Sequence, residues 1–96
     1  MQFLTISRRR TEQFGENDFA AKRDEEAERI RALYVEGAIR QIWFRGDHPG
    51  ACILWEAASD GEVRAHLSTL PYNVAGMLEI VSVIPLLPYL GFGPGA

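Results

Sequence analysis

A chain of 96 residues has room for one domain, and folding at that size removes only roughly 60 to 65% of the unfolded surface from water, so each apolar segment needs a partner. A net charge of -3, from 10 basic and 13 acidic residues, excludes a nucleic acid held by its phosphates and points to a small-molecule partner. The single cysteine, Cys52, excludes an internal disulfide and suits a reducing cytoplasm; on a predicted strand it reads as core.

Met1 to Arg8 reads as a first strand, with Phe3, Thr5 and Ser7 alternating against Leu4 and Ile6. The Arg8-Arg9-Arg10 run that ends it is either a solvated strand exit or a site for an anion or carboxylate. A short apolar run followed by arginines reverses the order of an export signal, so the expected location is cytoplasmic. Glu12 to Asp18 is a loop in which Asn17 can cap, and a helix is predicted from about Asp18 to Glu36, stopping at Gly37. Steps of three and four put Phe19, Arg23, Glu26, Ile30, Leu33 and Tyr34 on its inward stripe, which seats the Glu26 carboxylate among apolar neighbours.

Ala38 to Ala57 reads as a β-hairpin around the turn Gly46-Asp47-His48-Pro49-Gly50. Strand spacing puts Ile39 and Trp43 on one face and Ile42 and Phe44 on the other, while Ile53 and Trp55 are split from Cys52 and Leu54. Neither face is polar, so this hairpin is expected to be the element that everything else packs on. Ser59 is placed to cap a second helix, from about Asp60 to Leu70, that buries Val63, Leu67 and Leu70 and carries His66 in a structural or surface position. Pro71-Tyr72-Asn73 forms a turn, and Gly76 to Ile84 is the last strand, with Met77, Glu79, Val81 and Val83 on one face. Val74 to Phe92 holds one charge, Glu79, but Pro85 and Pro88 interrupt it and no membrane span is expected. The tail Pro85 to Ala96 is too apolar for water and is expected to extend onto a neighbouring subunit.

The element order is strand, helix, strand, strand, helix, strand. That is the α+β, ferredoxin-like βαββαβ arrangement: a four-stranded antiparallel sheet with both helices on one face. The bare face is apolar too, so a second copy is expected to cover it, giving a dimeric α+β barrel with a cavity between sheet and helices.

His48, His66, Cys52 and Asp47 have no metal-ligand spacing, and no glycine-rich phosphate loop is present; neither a metal nor a cofactor is expected. Glu26 is the candidate base, or else half of a helical ion pair with Arg23 or Arg29. His48 is the candidate partner in catalysis, and Tyr34, Trp43 and Trp55 are either pocket walls or plain core.

From Glu26 to Glu79 the chain resembles the muconolactone delta-isomerases. The resemblance is carried by Glu36-Gly37 closing the first helix, the Arg40 to Trp43 spacing, His48 in the turn, the aromatic Trp55, Ser59 before the second helix, Leu70-Pro71 and Glu79. It implies a cofactor-free isomerase of ferredoxin-like fold, a dimer or larger homo-oligomer, with the C-terminal tail on another subunit. Glu26 matches that family's helix carboxylate. The positions of its tyrosine and asparagine hold Pro49 and Ala51, which donate no side-chain hydrogen bond, so a larger and more apolar substrate is expected.

The reading is therefore an isomerase or cyclase that shifts a proton on an unsaturated carbonyl or lactone, in catabolism or natural-product assembly. Glu26 and His48 are the expected catalytic residues, and Tyr34, Trp43, Trp55 and Arg23 the expected substrate contacts. A cofactor-independent monooxygenase of aromatic polyketides and a non-catalytic small-molecule-binding oligomer are the alternatives.

Overall fold

The computed structural model describes residues 1–92. Strands β1 (Gln2–Arg9), β2 (Ile39–Phe44), β3 (Ala51–Glu56) and β4 (Leu78–Leu86) form one antiparallel sheet in the order β2-β3-β1-β4, joined by helices α1 (Glu16–Val35), α2 (Asp60–Leu67) and α3 (Pro71–Val74). Leu33 of α1 and Val63 and Leu67 of α2 share one core with Phe3, Ile39, Ile53 and Trp55 of the sheet, so both long helices cover the same face. This is the expected ferredoxin-like arrangement.

The hairpin is not its centre. β1 is, because it pairs with β3 on one side and β4 on the other, whereas β2 is an edge strand on which only Ile39 is buried. Two bulges then decide which side chains face the helices. In β2 the register breaks between Ile39 and Gln41, so that Ile39 stands opposite Trp55, Ile42 opposite Ile53 and Trp43 opposite Cys52. One inserted residue reverses the alternation. Ile39, Ile42 and Phe44 therefore share the covered side, and Trp43 goes with Cys52 and Leu54 to the open one. Cys52 is half-buried there rather than in the core.

In β4 the pairing passes from Ser82 opposite Ile6 to Ile80 opposite Ser7, leaving Val81 as the extra residue. Ile80 and Val83 pack on the core, and Glu79 stands opposite Arg8. The expected common face of Met77, Glu79, Val81 and Val83 does not form. Met77 instead joins Phe19, Tyr72 and Leu78 in a second core. Arg8 binds Glu79 at 2.9 Å and Glu12 at 2.8 Å, and this guanidinium holds the Glu12 carboxyl down at about 2.

Helix ends also differ from the reading above. α1 is capped at Gly15, whose N–H donates to Asp18 Oδ2 at 2.8 Å, and not at Asn17. Ser59 Oγ caps α2 as expected, accepting from the Glu62 N–H at 3.2 Å, but α2 ends at Leu67. The anticipated turn at Pro71 is the short helix α3, with proline in its first turn, where no N–H is required. β4 runs on to Leu86, so Pro85 and Leu86 pair with Phe3 and Gln2 and do not leave the sheet. Proline is tolerated there because β4 is an edge strand. Beyond it Leu87, Tyr89, Leu90 and Phe92 are exposed, with one 3-10 turn over Leu90–Phe92. The last part of the expected tail, 93–96, lies outside the described residues.

Candidate active site

Along its 20 residues α1 buries only Phe19 and Leu33. Between these anchors it stands over a cavity of about 500 Å³ whose floor is the covered face of the sheet. Glu26, Ala27, Ile30 and Tyr34 line it from the helix, Thr5, Ser7, Ile39, Ile42 and Ile53 from the strands, and Leu67, Leu70 and Tyr72 from one end. The walls are mainly apolar, with a few polar side chains, Glu26 among them, the arrangement of a small-molecule site.

Glu26 is half-buried and has no ion pair among the described residues, so the helical pair with Arg23 or Arg29 does not form. Arg29 Nε donates instead to Thr69 Oγ1 at 2.9 Å. The Tyr72 N–H, at the start of α3, donates to Glu26 Oε1 at 3.0 Å, and Oε2 has no partner among the described residues. Loss of water pushes the Glu26 pKa up; the Tyr72 N–H and the charge of Arg9 oppose this but do not cancel it. The result is a fixed carboxylate with one free oxygen and an affinity for protons above that of an exposed glutamate.

The arginine run divides its work. Arg8 is in the ion pairs described above, and Arg10 Nε donates to the Leu78 carbonyl at 3.2 Å. Arg9 turns to the cavity, its Cζ 4.8 Å from the centre of the Phe19 ring and 5.3 Å from that of Tyr72. Thr5, Ser7 and Arg9 all reach the cavity from β1, and their sequence signal is the two-residue period that groups them with Phe3. Ser7 Oγ accepts the Ala51 N–H at 3.2 Å, so a hydroxyl lies beside the position where the sequence lacks a polar side chain.

Of the residues singled out from the sequence, Glu26, Tyr34 and Arg23 are brought to the cavity, the last two from exposed positions. Trp43 borders it from β2, but stands in register with Cys52 and is 48% exposed. Trp55 is completely buried behind the wall, its Nε1–H donating to Thr5 Oγ1 at 2.8 Å while its ring stacks on His66 at 5.8 Å. It is core. His48 is exposed in the β2–β3 turn, where its backbone N–H donates to Asp47 Oδ1, and it does not line the cavity. A tight turn holds its tip outside the sheet, away from the helix-covered floor. Among the described residues no three His, Cys, Asp or Glu side chains cluster as metal ligands, and no helix is long and apolar enough to cross a membrane.

A four-stranded antiparallel sheet, helices on one side and a carboxylate facing an apolar cavity between the layers define a ferredoxin-like α+β protein with a small-molecule pocket. The fold is shared with 5-chloro-2-hydroxyhydroquinone dehydrochlorinase (TftG) from Burkholderia phenoliruptrix AC1100, solved in complex with 2,5-dihydroxybenzoquinone: the TM-score is 0.59 at 20% identity, over 88% of this chain and 89% of that one. Comparison with curated protein sequences gives no match. The model of the muconolactone delta-isomerase family matches residues 1–90, and the chain belongs to that family.

Proposed function

We propose that this protein is a cofactor-free enzyme that shifts a proton on an unsaturated carbonyl or lactone-type small molecule, with Glu26 as the base. The observation that carries the reading is Glu26 itself: half-buried, tethered through Oε1, its pKa raised by burial, and facing a 500 Å³ cavity. Oε2 takes a proton from a carbon next to the conjugated system, and the electron pair moves onto the carbonyl oxygen as an enolate. The protonated carboxyl then returns the proton to another carbon of that system. One double bond moves and nothing is oxidised or reduced. A carboxylate with a raised pKa suits both halves of this exchange.

Family membership supports the reading. The fold neighbour is likewise an enzyme that converts a small molecule, a dehydrochlorinase. Tyr34 and Arg23 contact substrate at the open side of the cavity, and Trp55 supports its floor through Thr5. The protein works in the cytoplasm as a homo-oligomer joined through the open sheet face, where Leu4, Ile6, Cys52, Leu54 and Ile84 are left partly exposed. Glu26→Gln keeps the shape and the bond from Tyr72 but removes the base. Solvent-deuterium exchange into an unsaturated lactone should fall roughly 10²- to 10⁴-fold, and exchange at the wild-type rate would overturn the proposal.

A further inference from the structure

We infer that Arg9 is the anion-binding group of this cavity, so that the molecule bound there carries a planar oxyanion, a carboxylate or an ionised enol. The inference rests on the proton-transfer reading for the reaction but not for the binding.

Among the other arginines, Arg8, Arg45 and Arg64 are ion-paired with acidic side chains, and Arg10 and Arg29 are hydrogen-bonded to a carbonyl and a hydroxyl. Arg23, Arg31 and Arg40, without such partners among the described residues, are exposed to water. The Arg9 side chain makes no hydrogen bond or ion pair among the described residues, although it is half-buried beside a mostly apolar cavity. Its surroundings are nevertheless built. Phe19 and Tyr72 meet edge to face with ring centres 5.3 Å apart, Tyr72 Oη donates to the Phe19 carbonyl at 3.2 Å, and the guanidinium lies over both rings. Two locked aromatic faces hold the cation and leave its edge, with its N–H donors, free.

A half-buried guanidinium with no ion-pair partner among the described residues, at the edge of a mostly apolar cavity, is matched by a ligand that brings the counter-charge. The balance around it agrees. Arg9, Arg23 and Arg31 line the cavity against one carboxylate, Glu26, in a chain whose net charge is -3. The cavity is thus locally positive on an acidic protein, which attracts a small anion to this site in preference to the rest of the surface. An enolate formed by Glu26 would gain from the same charge.

The test uses benzoate and its neutral isostere benzamide on the full chain, with binding followed by calorimetry and by the Arg9 side-chain Nε–Hε NMR signal. Benzoate should bind more tightly as salt is lowered, benzamide at least roughly tenfold more weakly, and the Arg9 signal should move as benzoate is added. Arg9→Gln should lose roughly 10- to 100-fold in benzoate affinity, Arg9→Lys less, and Glu26→Gln should bind benzoate as well as wild type or better. Equal affinity for the two probes, no measurable benzoate binding, or an Arg9 signal unmoved by bound benzoate would overturn the inference, whether or not the glutamine variant folds. Benzoate bound through Arg9 by a protein whose Glu26→Gln variant still exchanges protons at the wild-type rate would keep this site and remove the proposed reaction.

Discussion

Trp55 offers the sharpest separation of packing from chemistry, because its indole is fully buried and its one polar atom has a single partner, Thr5 Oγ1 at 2.8 Å. Trp55→Phe keeps an aromatic ring against His66 but leaves a void of roughly 40 Å³, which at about 24 cal/mol per Å³ costs about 1 kcal/mol. The Thr5 hydroxyl, 2% exposed, loses its donor, for a further loss of about 1 to 2 kcal/mol. The sum of about 2 to 3 kcal/mol corresponds to a fall in melting temperature of about 10 to 20 °C for a domain of this size. Thermal unfolding at one fixed protomer concentration reads it, because the proposed oligomer would make the midpoint concentration-dependent. Thr5→Val orphans the indole N–H by itself, so the Trp55→Phe, Thr5→Val double variant should be less destabilised than the two singles added together, by about 1 kcal/mol. Benzoate affinity should stay within about twofold of wild type at temperatures where the variant is folded, because the ring lies behind the cavity wall. Additive single variants, or a Trp55→Phe protein as stable as wild type, would refute the reasoning.

A Cβ on Gly50 would sit 2.1 Å from the Ser7 carbonyl oxygen, a backbone atom of the central strand, so Gly50→Ala should lose about 3 kcal/mol or more in denaturant unfolding, and a loss under 1 kcal/mol would show that β1 can yield. Because burial raises the Glu26 pKa, activity should climb with pH through a limb above the usual carboxylate range, and a limb near the ordinary glutamate value of 4.5 would assign it to another group. The same shift acts on stability with the opposite sign: above pH 4.5 the unfolded chain has released a proton that the folded one still holds, so stability falls as pH rises through that window, and in Glu26→Gln this fall should be absent. Leu54→Arg places a charge in the middle of the open sheet face and should yield monomers in sedimentation; an unchanged oligomer would move the interface elsewhere. Deleting residues 87–96 removes the exposed Leu87, Tyr89, Leu90 and Phe92 and should lower the oligomer's melting temperature, whereas an unaltered midpoint would show that the tail packs on nothing.

Much of the architecture is legible along the chain, because local periodicity writes it there. A two-residue period marks β1 and β3, a three-to-four-residue period marks α1, and Ser59 announces α2. Their order admits few topologies besides the one observed. Glu26 was legible for the same reason, as a carboxylate on a stripe that includes Phe19, Ile30 and Leu33. Alternation defines two faces of a strand, however, and does not say which one meets the helices. In β1 the polar set wins: Phe3, Thr5, Ser7 and Arg9 face inward, while Leu4 and Ile6 face the open side. Only the packing of α1 and α2 over the sheet decides this, and it makes Arg9 a cavity residue while its neighbours Arg8 and Arg10 are fixed elsewhere. The bulges at Arg40 and Val81 are equally silent, since one extra residue changes no composition yet reverses every side chain beyond it. That is why Trp43 and Glu79 end on the open face. Trp55 and His48 show the remaining limit: a buried tryptophan and a pocket tryptophan, or a turn histidine and a catalytic one, have the same local sequence, and the distinction lies in neighbours that come from other parts of the chain.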